Sequence, residues 1–266
     1  MIPVNLGPGA DGPIKVAASL AHGYSSRLIG VAAENLEFAY YGDGIAAVDA
    51  VMFESAKQTN ADNLAKAEAV FRRAVGTTHV AEWRSATCAM RDFVLTQARA
   101  ADLVVLARQG PSDPEQGNMA LSPGSLVMDL GRPILVVPPG VETLSAQRVV
   151  VAWKNTREAR RAVWDALPLL KRAEFVMVTS VGDDAETQGA SDVCQYLVEH
   201  GVSARAVLRL GESKYAIDEL TELAALERAD LIVAGAYGHS RALEWIFGGL
   251  TNDLLETTPV CCLLSH

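Results

Sequence analysis

Short apolar runs alternate along the chain with segments in which apolar residues recur every three to four positions. The runs predict strands, and the periodic segments predict helices. The predicted strands are 2–6, 27–33, 78–84, 102–106, 133–137, 148–153, 174–180, 203–208, 230–234 and 259–264. The predicted helices are 13–22, 46–75, 90–98, a short one from Gly124, 156–170, 191–200, 213–226 and 250–256. Polar residues 60–63 predict a break or a capped restart within the long second helix.

This order of elements occurs twice. The segment ADLVVL at 101–106 matches ADLIVA at 229–234, and the apolar strand 133–137 matches 259–263. Parallel strands need a helical crossover, so each copy predicts a doubly wound sheet of the α/β class. We therefore expect two tandem Rossmann-like domains at 1–140 and 147–266, each with a five-stranded parallel sheet and helices on both faces. The proline- and glycine-containing segment 138–147 is the predicted linker.

The segment 235–251, GAYGHSRALEWIFGGLT, follows the fourth strand of the second copy. Glycines after a strand leave main-chain N–H groups accessible to an anion, and phosphate is the simplest one. Glycine turns also occur in α/β proteins for structural reasons alone, so the spacing leaves both interpretations open.

The chain resembles a tandem universal stress protein. The resemblance rests on ADLIVAGAYGHS at 229–240, PVCCLL at 259–264 and REARRAVWDALPLL at 157–170. It covers the whole chain, strongly from about residue 101 and weakly before it. The family motif is glycine, two residues, glycine, nine residues, glycine, then serine or threonine. Gly235, Gly238 and Gly248 satisfy that spacing.

The resemblance implies ATP, with or without Mg²⁺, at the carboxyl ends of the strands of the second copy. Gly235 and Gly238 would border the ribose and the first phosphates. Gly248, Gly249 and Thr251 would border the later phosphates. The hydroxyl of Thr251 can bond phosphate or a metal ion, or it can cap the helix that begins there.

Three residues give the second copy features of its own. Gly249 stands where the family motif has serine or threonine, so one hydroxyl is lost. Lys154 stands where the family commonly has an aspartate that accepts from adenine, so Asn155 or main-chain groups would have to recognise the base. Lys154 can approach the phosphates or point to solvent. Arg241 can bond two phosphate oxygens at once, or it can simply be solvated.

The first copy carries a degenerate version of the loop. Its fourth strand ends in Ala107, Arg108, Gln109 and Gly110, so the first glycine of the motif is missing, and thirteen residues separate Gly110 from Gly124. Prolines remove N–H donors and acidic residues repel phosphate; these are Pro111, Pro114, Pro123, Asp113 and Glu115. We predict that the amino-terminal half binds nucleotide poorly or not at all and serves as a dimer-like partner of the other half. The end strands 133–137 and 259–264 suggest how the halves meet.

Composition excludes several classes of protein. The formal net charge of −9 without a basic patch argues against a nucleic-acid binder. Four scattered cysteines do not form a disulfide framework, and neither a leader segment nor a run of some eighteen apolar residues is present, so we expect a soluble cytoplasmic protein without membrane contact.

The sequence offers little catalytic chemistry. It has no Ser-His-Asp order, P-loop or zinc-ligand spacing, and Cys261 and Cys262 should face opposite sides of one strand. Asp183 and Asp184 can approach a metal bound to phosphate, or can simply form a turn. We therefore expect no efficient catalysis, although slow ATP hydrolysis can accompany binding.

The function that these features favour is a stress-response regulatory protein that binds ATP and is read by a protein partner. The alternative is an interaction or scaffold module whose glycine loop is a relic. An enzyme of the adenine-nucleotide α-hydrolase type is the weakest interpretation, because this sequence lacks the catalytic residues for such an enzyme. We also expect a homo-oligomer.

Overall fold

A computed structural model describes residues 1–36, 50–77, 80–113, 119–209, 216–238 and 249–266. The strands are β1 Ile2–Pro3, β2 Leu28–Ala33, β3 Ala81–Ala86, β4 Val104–Ala107, β5 Ile134–Val137, β6 Arg148–Ala152, β7 Phe175–Val181, β8 Ala204–Arg209, β9 Leu231–Gly235 and β10 Cys261–Ser265. The helices are α1 Asp11–Gly23, α2 Ala50–Val75, α3 Met90–Gln97, α4 Pro123–Val127, α5 Arg157–Leu170, α6 Ala190–Glu199, α7 Ala216–Leu226 and α8 Leu250–Glu256. Two 3₁₀ turns cover Ala98–Ala100 and Ala185–Thr187.

The carboxyl-terminal half forms a parallel sheet of five strands in the order β8-β7-β6-β9-β10. In the amino-terminal half, β1, β2 and β3 are parallel, and so are β4 and β5. The main-chain nitrogen of Met1 donates to the Leu103 carbonyl at 2.8 Å, and the Val105 N–H donates to the Met1 carbonyl at 2.9 Å, so β1 lies beside β4. The predicted α/β class is confirmed, and the described residues of each half contain five strands, as predicted.

The two halves meet through their last strands. β5 pairs with β10 in antiparallel register, with Cys262 opposite Val136, so β4 and β5 continue the carboxyl-terminal sheet into one of seven strands. This is the meeting of end strands that the sequence suggested. Residues 138–147 lie between β5 and β6 without a helix or strand. The division into two separate domains stays a prediction.

The sheet has an apolar core on each face. Because successive side chains of a strand point to opposite faces, Cys261 packs in one core and Cys262 in the other, as the sequence predicted. Burial raises the pKa of both thiols to about 12. All four cysteines are free thiols. Within the described ranges, no helix is both long and apolar enough to cross a membrane.

The predicted break at residues 60–63 is wrong, since α2 runs without interruption through them. The Asn60 amide donates to the Glu34 carbonyl at 2.8 Å and accepts from the Thr87 hydroxyl at 3.0 Å. The Asn63 amide donates to the Glu34 carboxylate at 3.1 Å. The polar residues that resemble a helix stop therefore face the end of β2, where they satisfy a buried glutamate.

Candidate functional site

A cavity of about 220 Å³ opens at the carboxyl ends of the strands in the second half. Its position is the point between β6 and β9 where the strand order reverses, and ligands of open α/β sheets bind at such points. Strand ends and the first turns of α5, α7 and α8 form its walls. The lining residues are Ala152, Trp153, Lys154, Thr156, Ala159, Thr179, Val181, Ala216, Leu220, Ala234, Gly235, Gly238, Leu250 and Thr251.

Helix α5 brings its amino end to this cavity. Thr156 is its N-cap, with an extended main chain and a side-chain oxygen that accepts from the Ala159 N–H at 3.3 Å. The preceding turn is held by the Thr156 N–H, which donates to the Lys154 carbonyl at 2.6 Å. The first turn of a helix carries unsatisfied N–H groups and partial positive charge, so this wall favours an electron-rich ligand atom.

Thr179 places a hydroxyl on the floor of the cavity. It lies on β7 and is 1% exposed, and its Oγ1 has no hydrogen-bond partner among the described residues. A buried hydroxyl without a partner costs on the order of 1–3 kcal/mol. A ligand atom in the cavity can remove that cost. Sequence reasoning missed Thr179, because a single threonine in an apolar strand carries no signal of its own.

The lining is cationic and polar at one side and apolar at the other. Lys154 is exposed at the rim, and the described residues of the lining include no Asp, Glu, His or Cys. The hydroxyl of Thr156 adds a polar group near Lys154. Ala152, Val181 and Leu220 form an apolar wall. Such a combination suits a ligand with a flat apolar part and an anionic part.

No protein-family model matches the sequence, and no curated protein matches it. Solved structures do match. A universal stress protein from Archaeoglobus fulgidus DSM 4304 superposes with a TM-score of 0.65 at 14% identity, over 100% of this chain and 95% of its own. A functionally unknown protein from Pseudomonas aeruginosa PAO1 gives 0.57 at 14% identity, over 99% and 91%. The chain has the universal stress protein fold.

Within this fold, Gly235 and Gly238 face different neighbours. A Cβ atom on Gly235 would lie 2.5 Å from the main-chain nitrogen of Ala159, so glycine lets β9 approach the first turn of α5. A Cβ atom on Gly238 would lie 3.1 Å from both Glu158 Oε2 and Thr156 Oγ1. Packing against α5 is therefore enough to explain why residue 235 is glycine. The glycine at 238 instead leaves two polar side chains, those of Glu158 and Thr156, uncovered at the edge of the cavity.

Glu158 is a second residue that sequence reasoning missed. It is 5% exposed, and Arg157 pairs with it at 2.8 Å. Burial raises the pKa of its carboxyl, but its own main-chain N–H, Arg157 and His266 outweigh burial and hold the pKa below its usual value. The carboxylate thus stays charged at neutral pH beside Gly238. Its spacing of four from Ala162 places it on the buried face of α5, which is a signal that the sequence did contain.

Thr251 does not cap a helix, so that interpretation is wrong. Helix α8 begins one residue earlier, with Gly249 as the N-cap. The Thr251 side chain is 3% exposed, and its Oγ1 accepts from the Tyr237 N–H at 3.1 Å. The hydroxyl therefore ties the glycine segment to α8 and keeps its own proton available for a ligand.

The remaining predicted residues fall into three groups. The structure brings Gly235, Gly238, Lys154 and Thr251 together around the cavity, with Gly249 adjacent to it. Asn155 does not line the cavity: its side-chain oxygen accepts from Arg160 and its N–H donates to Gln188 Oε1. Arg241 and Gly248 lie outside the described residues.

Asp183 and Asp184 precede the 3₁₀ turn at Ala185–Thr187. The Asp184 carbonyl accepts from the Thr187 hydroxyl at 2.8 Å, and its carboxylate accepts from Gln188. Neither aspartate lines the cavity. In the ranges that the structure describes, no group of three or more His, Cys, Asp and Glu residues can hold a metal ion.

The amino-terminal half differs at the corresponding strand ends. Near β1 and β4, the described residues line a cavity of about 40 Å³ whose walls include Pro8, Pro13 and Arg108. Arg108 pairs with Asp113 at 2.6 Å, and the Gly110 N–H donates to the same carboxylate at 2.7 Å. The N–H that a phosphate would need is therefore already bonded.

Proposed function

We propose that this chain is a cytoplasmic stress-response regulatory protein that binds an adenine nucleotide, ATP with or without Mg²⁺, in the cavity of its carboxyl-terminal half. The observation that carries the proposal is the buried hydroxyl of Thr179, which has no hydrogen-bond partner in the described part of the chain and lines the cavity at the reversal of strand order. The four free thiols fit a reducing compartment.

The base would occupy the apolar side of the cavity. Ala152, Val181, Ala216 and Leu220 offer a smooth wall for a flat ring, and Thr179 offers a hydroxyl to its edge. A hydroxyl both donates and accepts, so it can bond a ring nitrogen or an amino group of adenine. This arrangement replaces the proposed use of the Asn155 side chain, which Arg160 holds elsewhere.

The ribose and phosphates would follow the glycines. Glu158 lies against Gly238, and its charged carboxylate suits ribose hydroxyls rather than phosphate. The phosphates would then extend past Lys154 towards Gly249 and Thr251. Binding by Gly248 and Arg241, which lie outside the described residues, stays a prediction from the sequence. The volume of about 220 Å³ is below the usual range of about 300–1,000 Å³ for ligand sites, so it fits the nucleoside better than the whole nucleotide.

We propose a binding role without efficient catalysis. The described residues that line the cavity include no Asp, Glu, His or Cys to act as a general base, and the nearby Glu158 is paired with Arg157, so we expect any hydrolysis of ATP to be slow. Protein partners would read the surface around the bound nucleotide, and copies of the chain would associate with one another.

Calorimetric titration with ATP, with and without Mg²⁺, tests the proposal. Thr179→Val keeps the shape and removes the hydroxyl, so ATP affinity should fall about threefold to tenfold while the free energy of unfolding stays equal or rises. Thr258→Val is the matched control. Thr258 is also 1% exposed, but its hydroxyl bonds the Val260 carbonyl at 3.4 Å, away from the cavity. The control should lose stability and keep affinity. A wild-type protein that binds no nucleotide would refute the proposal.

A specific surface favours the alternative, an interaction module without nucleotide. A groove of about 680 Å³ lies between α5 and α6, and Trp164 in it is 63% exposed. Tyr196 and Val193 form its apolar floor. Mass spectrometry of ligands retained through purification separates the two functions. Bound nucleotide supports the first proposal, and Trp164→Ala should then leave ATP affinity unchanged. If the protein is free of nucleotide and does not bind added ATP, the alternative is favoured.

A further inference from the structure

The two glycines of the degenerate loop in the amino-terminal half both contact helix α8 of the other half. A Cβ atom on Gly110 would lie 1.9 Å from the Glu256 carbonyl oxygen at the end of α8. A Cβ atom on Gly124 would lie 2.8 Å from the Tyr237 hydroxyl and 3.3 Å from Leu255 Cδ1. Both glycines of the first half therefore lie against the carboxyl-terminal turn of α8.

Neither glycine is required by its main-chain conformation, because neither has a positive φ. In the first turn of α4, alanine would favour the helix by about 1 kcal/mol relative to glycine. The close approach of Tyr237 accounts for Gly124 instead. A hydrogen bond also joins the halves just beyond α8, since the Arg108 guanidinium donates to the Thr258 carbonyl at 2.6 Å.

Tyr237 links this contact to the cavity. Its hydroxyl donates to Asn252 Oδ1 at 3.0 Å, and its N–H donates to Thr251 Oγ1 at 3.1 Å, so both ends of the residue are bonded to α8. It is 9% exposed and has a φ of +54°, a conformation that costs a bulky residue energy unless its surroundings hold it. It stands between Gly235 and Gly238, both of which line the cavity.

We propose that the amino-terminal half positions the nucleotide site of the carboxyl-terminal half. Gly124 and Gly110, the remnants of its own phosphate loop, form a seat for α8 and Tyr237. Tyr237 is then a positioning residue: without contacting the ligand, it places Gly235 and Gly238 on one side of the ligand and Leu250 and Thr251 on the other. The effect on affinity rests on the proposed function, whereas the seat itself does not.

The test variant is Gly124→Ala. The added methyl meets the far end of a tyrosine side chain, so Tyr237 moves and the first half stays folded. The matched control is Gly12→Ala in α1, where a Cβ atom would also lie 2.8 Å from an oxygen, the Val141 carbonyl, away from α8. Both variants place alanine in the first turn of a helix of the same half.

Two quantities are measured on the full chain: hydrogen exchange of the peptide covering residues 249–256 without nucleotide, and ATP affinity by calorimetry. Gly124→Ala should speed exchange there and weaken affinity about twofold to thirtyfold, and Gly12→Ala should do neither. Tyr237→Phe frees the space that the methyl needs, so Gly124→Ala should have a smaller effect in that background.

The seat would be overturned if Gly124→Ala left hydrogen exchange of residues 249–256 at the wild-type rate, or if Gly12→Ala sped it equally. Faster exchange with unchanged ATP affinity would overturn the link to the site. If the wild-type protein binds no ATP, the proposed function fails, and the exchange measurement alone still decides whether the first half positions α8.

Discussion

Two glycines of one motif, three residues apart, perform different tasks. Gly235 lets a strand end against the main chain of α5, and that main chain cannot move aside. Gly238 adjoins side chains that have some freedom. The spacing of the motif could be recognised in the sequence. The different roles of the two glycines could not, because each role depends on which element packs against that glycine.

We predict that Gly235→Ala lowers the free energy of unfolding by about 1–3 kcal/mol, because a methyl group overpacks the contact with the Ala159 nitrogen. Gly238→Ala should cost less, since Glu158 and Thr156 can adjust. Urea denaturation of the two variants measures the difference. Gly238→Val, whose branched side chain extends further towards these groups and the cavity, should abolish ATP binding in a folded protein. Equal stability losses at positions 235 and 238 would contradict this division.

At the scale of elements, the apolar pattern predicted every described helix and strand to within a few residues. It failed where polar residues of a helix hydrogen-bond a buried group from another element. Asn60 and Asn63 resemble a helix stop in isolation, yet α2 continues because Glu34, from the end of β2, accepts from both of them. Only the folded arrangement brings residues 34 and 60 together, so local propensity could not reveal the contact.

Asn60→Ala should therefore destabilise the protein by about 1–3 kcal/mol, because it leaves the Glu34 carbonyl and the Thr87 hydroxyl without this partner. The neighbouring Thr59→Ala is the control, since Thr59 is exposed and its hydroxyl bonds within the helix to the Ser55 carbonyl. Its effect should stay within about 0.5 kcal/mol. Thermal denaturation of both variants measures the difference in stability between them. Equal effects of the two substitutions would contradict the buried role of Asn60.

Across the whole molecule, the internal repeat predicted two like halves and their meeting at the end strands. It did not reveal that the corresponding strand ends of the two halves are built differently. The partly buried pair of Arg108 and Asp113 follows β4, as Gly235 and Gly238 follow the corresponding residues of β9, and Arg108 also donates to the Thr258 carbonyl of the second half. The loss of the first motif glycine was visible in the sequence, whereas the contact that Arg108 makes between the halves was not.

The ion pair between Arg108 and Asp113 makes the stability of the fold depend on pH at the acid end. The hydrogen bond from Arg108 and the Gly110 N–H lower the pKa of Asp113 against the opposing effect of burial. An aspartate with a lowered pKa stabilises the fold above its unfolded value of about 3.9, and that contribution is lost as pH falls through the lower folded value. Asp113→Asn should lower the free energy of unfolding by about 1–3 kcal/mol at pH 7 and flatten the loss of stability below pH 4. An unchanged acid slope in urea denaturation would contradict this assignment.

The central claim is that the cavity at the ends of β6, β7 and β9 binds a nucleotide. Hydrogen exchange of the full chain with and without saturating ATP and Mg²⁺ tests it most directly. We predict slower exchange in peptides that cover residues 152–159, 179–181, 234–238 and 249–256, with no change at the strand ends of the amino-terminal half. Unchanged exchange in these four segments, or protection confined to the amino-terminal half, would contradict the claim.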